Sequence, residues 1–170
     1  TIYKLILFCQ TNYGQKAEEY TYERDQIIGA HMKSVQKKVI NMFPFAIPSS
    51  SFSSQTYLKG ESDIDFTILC APEMMEYYAS LLMEKGFEYK ETKCADYPEY
   101  YHVYGKEIDS IDVEIKIRES EPASHIMLVH SYMDNHFSME LKPFITYLKF
   151  LLKGTTSYPQ LKYLIYDNAL

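Results

Sequence analysis

Residues 62–70 read Ser-Asp-Ile-Asp-Phe-Thr-Ile-Leu-Cys, and no other stretch narrows the possible folds as much. On a strand, successive side chains point to opposite faces, so Asp63 and Asp65 project together while Ile64 and Phe66 turn into a core. Two carboxylates about 7 Å apart on one strand repel each other unless a cation lies between them. A donor set made only of oxygen suits Mg²⁺, or Mn²⁺ in its place; Mg²⁺ is usually held by one or two carboxylates together with substrate phosphates. Upstream, Ser49 to Ser54 form a hydroxyl-rich segment that can approach a phosphate and donate hydrogen bonds to it. Either half alone is common in unrelated chains. Together, a phosphate-gripping turn followed by a metal-gripping strand points to nucleotidyl transfer.

The remaining pattern predicts an alternation of helices and strands. Ile28, Met32, Val35, Val39 and Phe43 share one helical face, which predicts a helix over 21–43, stopped by Pro44. A short strand is expected at 45–47, the Asp-bearing strand at 63–70, and a helix opened by Pro72 and closed near Gly86. Residues 87–99 read as a strand and a loop ending near Pro98. A further strand is expected at 100–104, turned back at Gly105-Lys106 or at Asp109-Ser110. Ile111 to Ile117 alternates cleanly, with Ile111, Val113, Ile115 and Ile117 on one face and Asp112, Glu114 and Lys116 on the other. Two helices should follow, one from Pro122 to about Met133 and one over 138–153, ended by Gly154. Asp134-Asn135 is the expected domain boundary.

The segment from Ser50-Ser51-Phe52 through Tyr57-Leu58 to Gly60-Glu61-Ser62-Asp63-Ile64-Asp65 resembles the DNA-polymerase-β-like nucleotidyltransferase superfamily. More narrowly, it resembles the non-canonical poly(A) polymerases and terminal uridylyltransferases. The resemblance extends to an upstream helix bearing an arginine, here Arg24. One residue departs from the pattern: Ser50 stands where the family has glycine. The resemblance implies an α+β fold, a polymerase-β-like palm with a small mixed sheet backed by helices, followed by the start of a helical domain. On that reading residues 1–135 are the palm with its N-terminal helix, and 136–170 open the helical domain.

A two-metal site needs a third acid on an adjacent strand. Asp112 is preferred, since Ile111 and Val113 flank it in the apolar-Asp-apolar pattern of the family. Glu114, on the same face, is the rival, and Asp109 ranks third because it falls in the expected turn. The block from Lys142-Pro143 to Lys153 resembles the opening of the family's helical domain. Lys149 and Lys153, four apart, would share a helical face toward the β- and γ-phosphates. Thr156-Ser157-Tyr158 resembles the Ser-Tyr pair that contacts ribose or phosphate and stacks the base. The nucleotide-binding candidates are thus Ser50, Ser51, Lys149, Lys153, Ser157 and Tyr158. The metal ligands and catalytic acids are Asp63, Asp65 and Asp112.

The net charge of −6 argues against tight RNA binding by this chain alone, because phosphate contacts need Lys and Arg. Cys9, Cys70 and Cys94 are scattered and odd in number, as expected of reduced thiols in an intracellular protein. No apolar run approaches the roughly 20 residues of a membrane span, so no membrane partner is expected. The five histidines offer no zinc arrangement. The chain opens on Thr rather than Met and reads as part of a longer protein, whose C-terminal domain or a protein partner could complete it. The expected substrates are an NTP and the 3′ end of an RNA. Two alternatives stay open: a compact nucleotidyltransferase acting on a protein or small molecule, and an inactive scaffold of the same fold.

Overall fold

Helix occupies the start of the chain in the computed structural model, which describes residues 2–94, 100–119, 137–162, 164 and 165. It runs as α1 (Ile2–Arg24), a π-helical turn (Asp25–Gly29) and α2 (Ala30–Met42). The expected helix thus begins about twenty residues earlier than its apolar spacing indicated. The inner face of α1 includes Cys9, Ala17, Thr21 and Arg24, and such residues carry little hydrophobic signal. Then come β1 (Ile47–Ser49), α3 (Ser50–Ser54), β2 (Asp63–Cys70), a 3₁₀ turn at Pro72–Met74, α4 (Met75–Glu84), β3 (Glu88–Cys94), β4 (Tyr100–Ile108) and β5 (Ile111–Glu119). Later in the chain, among the described residues, come the helices α5 (Lys142–Leu152) and α6 (Tyr158–Lys162).

Several boundaries differ from expectation for local reasons. The strand expected at 45–47 is displaced to β1 because Phe43 to Ala46 form a turn closed by Ala46 N–H donating to Phe43 O at 3.0 Å. The hydroxyl-rich turn is the single helical turn α3. Helix α5 starts at Lys142, not at 138, with Pro143 in its first turn, where a missing N–H is harmless. Of the two candidate hairpin turns, Asp109-Ser110 is the one used. Both residues have positive φ, 50° and 67°, as the tight two-residue loop between β4 and β5 demands. The helix expected over 122–133, the boundary at Asp134-Asn135, the loop near Pro98 and three of the histidines lie outside the described residues.

The five strands form one mixed sheet in the order β1-β2-β5-β4-β3. The central pair β2 and β5 is parallel; every other neighbour is antiparallel. The chain divides into two compact units: residues 1–30, 54–61 and 128–170, and residues 31–53 and 62–127. The N-terminal helix α1 thus falls in the first of these units.

In the unit that holds the sheet, Ile64, Phe66 and Ile68 of β2 are buried, as are Ile111, Val113, Ile115 and Ile117 of β5. Met32, Val35 and Val39 of α2 are buried in the same unit, Phe43 meets Phe87 edge-on at 5.6 Å, and α4 packs on β5. Each such side chain contributes about 1.5–3 kcal/mol by leaving water, which fixes which face of β2 and β5 turns inward. In the other unit α1 packs along α5. Ile6, Cys9, Phe144, Ile145 and Leu148 are in its core, with Tyr20 stacked on Phe150 at 4.7 Å.

Candidate active site

The register of the central pair decides which acids meet. Asp112 N–H donates to Ser62 O at 2.8 Å, and from there Asp63 pairs with Asp112, Asp65 with Glu114, Thr67 with Lys116 and Leu69 with Arg118. Since the inward face of both strands is apolar, all these polar partners share the opposite face. On the other side of β2, Ser49 of β1 pairs with Asp65, and Thr67 Oγ1 donates to Ser49 Oγ at 3.3 Å.

Asp65 is 8% exposed. Burial pushes its carboxyl up to about 6; the nearby Asp63 and Glu114 carboxylates push the same way, and Lys116, 3.8 Å from Oδ1, opposes them. Asp112 is exposed and Asp63 half-buried. Asp109 sits in the β4–β5 turn, ion-paired to Lys38. Among the described residues no group of three or more His, Cys, Asp or Glu side chains is gathered closely enough to hold a metal ion by itself. A Mg²⁺ ion does not require such a cage, since substrate phosphates complete its shell.

Ser50 begins α3 in the left-handed region, with φ of 66°. This is the position where the resembled family carries glycine, and the backbone conformation is the one glycine serves. Ser51 follows it, half-buried in the same helical turn.

The remaining candidates belong to the other compact unit. Lys149 is 2% exposed, and its ammonium donates to Thr56 O at 2.7 Å. Lys153 caps the end of α5, exposed, 3.9 Å from Glu61 Oε1. Although four residues apart, the two lysines therefore occupy different surroundings. Ser157 is exposed and accepts the Leu161 N–H at 3.0 Å, while Tyr158 opens α6 with Lys162 over its ring at 5.6 Å.

Sequence reasoning missed two features. Glu114 was a rival to Asp112, yet it is the partner of Asp65; only the parallel register reveals that. Arg24 had no chemical role. It is 4% exposed, stacks on Tyr57 at 3.9 Å and donates through Nη1 to Gln55 O at 3.2 Å and Tyr57 O at 2.9 Å. Together with Lys149 it pins three successive carbonyls of the segment that leads into β2. The Tyr57 hydroxyl donates to Asp25 at 2.7 Å, and burial with that bond pushes its pKa up to about 12. With no clear apolar period in α1, the sequence carried no signal that Arg24 faces inward.

No protein-family model matches the chain, and no curated protein matches its sequence. Solved structures do match. Cid1 in complex with the UTP analog UMPNPP aligns with a TM-score of 0.50 and 18% identity, over 89% of this chain and 53% of that one. A cytoplasmic RNA terminal U-transferase gives 0.49 and 16%, over 88% of this chain and 46% of that one. The chain spans about half the length of these structures. The fold is that of a polymerase-β-like nucleotidyltransferase palm. No helix among the described residues is long and apolar enough to cross a membrane.

Proposed function

We propose that this chain carries the palm of a metal-dependent nucleotidyltransferase, moving a nucleoside monophosphate from an NTP to the 3′ hydroxyl of an RNA. The observation that carries the proposal is the parallel register that sets Asp63 beside Asp112 and Asp65 beside Glu114 on one sheet face. A nucleotide in the same fold, the UTP analog in Cid1, supports the NTP as donor.

The donor set fits a hard divalent cation. It is all oxygen, and burial with two neighbouring carboxylates opposes the ionised form of Asp65, a conflict that Mg²⁺ or Mn²⁺ would relieve. Asp63 and Asp65 would hold the metal, with Asp112 as the third acid. When bound, the metal lowers the pKa of the attacking hydroxyl and neutralises charge on the leaving pyrophosphate. Asp112, exposed at the strand start, accepts the hydrogen bond of the acceptor hydroxyl and orients it. Ser51 donates to the triphosphate, with Ser50 beside it in the same turn. We assign Lys149 and Lys153 to its β- and γ-phosphates, and Ser157 and Tyr158 to the sugar and base. The 3′ hydroxyl gives its proton to the Asp112 carboxylate, its oxygen bonds to the α-phosphorus as the bond from that phosphorus to the α,β-bridging oxygen breaks, and pyrophosphate departs with that electron pair.

Calorimetry with a non-hydrolysable NTP tests the core of this assignment. Binding should require the metal and vanish in the Asp63→Ala, Asp65→Ala double variant; equal affinity in EDTA sinks the metal role. An incorporation assay offering RNA, protein or no acceptor then selects the acceptor class. Transfer to protein alone would overturn the RNA assignment.

A further inference from the structure

The polar face of β5 changes sign along its length. Asp112 and Glu114 come first, then Lys116 and Arg118. Lys116 is engaged with Asp65 at 3.8 Å. Arg118 is different: it is 9% exposed, and its Nε, fully buried, has no hydrogen-bond partner. Among the described residues no carboxylate pairs with it. Glu119, next on the strand, projects to the opposite face. On its own face its register partners are Leu69 of β2 and Tyr101 of β4, whose ring lies 4.2 Å from the guanidinium carbon.

A guanidinium is always charged and presents five donors. Taking it out of water without a counter-charge is unfavourable, and a cation–π contact offsets only part of that. The fork of Arg118 suits an oxyanion, which it can grip through two donors. Its distance from the acids says which one. At about 6.6 Å per two residues, Lys116 lies about 13 Å and Arg118 about 20 Å along the strand from Asp112. A triphosphate held at Ser50, Ser51 and the Asp63–Asp65 pair is too short to reach Arg118, about 13 Å beyond the Asp65–Glu114 pair. A polyanion whose terminal hydroxyl sits at Asp112 and whose backbone runs along β5 does reach it.

We propose that Arg118, with Lys116 before it, docks a backbone phosphodiester of the acceptor RNA, upstream of the 3′-terminal nucleotide. The identity of the terminal hydroxyl rests on the transferase assignment; the anion site does not.

Fluorescence anisotropy of a labelled oligoadenylate, titrated over a range of KCl on the full chain, provides the test. Nucleotide binding is followed separately by calorimetry with the non-hydrolysable NTP. Arg118→Gln should weaken RNA binding about tenfold and flatten the salt slope by about 0.7, leaving nucleotide affinity unchanged. Arg118→Lys should recover part of the affinity, since it restores charge without the fork. Arg118→Met should bind RNA as poorly as Gln yet have a higher Tm, because it removes an uncompensated buried charge. Unaltered RNA affinity and slope in the Gln and Met variants overturn the proposal, as does a loss confined to nucleotide binding. Unfolding of both variants also overturns it, making Arg118 a structural cation. RNA binding that depends on Arg118 in a chain that binds no nucleotide would uphold the anion site while sinking the transferase assignment.

Discussion

Ser50 holds a φ of 66°, where a β-carbon costs about 1–2 kcal/mol. Glycine avoids that cost but loses part of the gain to its freer unfolded chain, about 0.4–1 kcal/mol. Ser50→Gly should therefore stabilise the fold by about 0.5–1 kcal/mol and raise kcat/KM for NTP, since it also clears a hydroxymethyl group from the phosphate approach. Urea denaturation and steady-state kinetics check both; a tenfold weaker NTP affinity would make the hydroxyl a working ligand instead. Asp65 offers a pH test. Its carboxyl titrates near 6 in the fold and near 3.9 when unfolded, so the folded state holds the proton more tightly. The associated stability is complete below about pH 4 and is lost as pH rises through 6, about 3 kcal/mol in all. Without metal, Asp65→Asn should melt higher than the parent at neutral pH and lose that advantage near pH 4. A variant that melts lower at neutral pH would contradict the buried-charge account. The Asp pair and the serine in place of glycine were legible in the sequence. The left-handed backbone of Ser50 and the partnership with Glu114 were not, because both depend on chain geometry and strand register.

The segment between α3 and β2 shows the same limit at the level of elements. Its carbonyls at Gln55, Thr56 and Tyr57 are held by Arg24 and Lys149, while the backbone N–H of Lys59 donates to the Tyr20 hydroxyl at 2.9 Å. The π-helical turn that follows Arg24 adds to this: a β-carbon at Gly29 would lie 3.2 Å from the Tyr57 hydroxyl, so glycine is what lets the helix approach. Arg24→Ala strands two carbonyls and should cost about 3 kcal/mol in urea denaturation. Arg24→Lys should recover part of it, and hydrogen exchange should accelerate at residues 55–59 in the alanine variant. A cost below about 1 kcal/mol would show that the segment keeps its path without the arginine. The strands β2 and β5 were legible because their alternation has a period of two and one face is wholly buried. The start of α1 was not, since a helix whose buried face holds one isoleucine among tyrosine, cysteine, alanine, threonine and arginine carries no clear apolar period.

For the molecule as a whole, the compact units draw on non-contiguous stretches: residues 54–61 belong with the two ends of the chain. A sequence reading divides a chain into consecutive pieces, so it had no means of finding this. Net charge is different, being additive and read directly from composition. At −6 the chain repels a polyanion at long range, and the proposed acceptor path offers only Lys116 and Arg118. Two phosphate contacts on a single strand give a salt slope of about −1.4 at most. The isolated chain should thus bind oligoadenylate with a Kd on the order of 10 µM or weaker at physiological salt, within the range of non-specific association. Lowering the salt should tighten it only modestly. Acceptor recognition in this chain would then come from positioning a phosphodiester near the acids, with affinity supplied by other contacts. Anisotropy over a salt series measures both the Kd and the slope. Sub-micromolar binding, or a slope several times steeper, would mean that a larger basic surface engages RNA and that the two-residue path along β5 is not the main one.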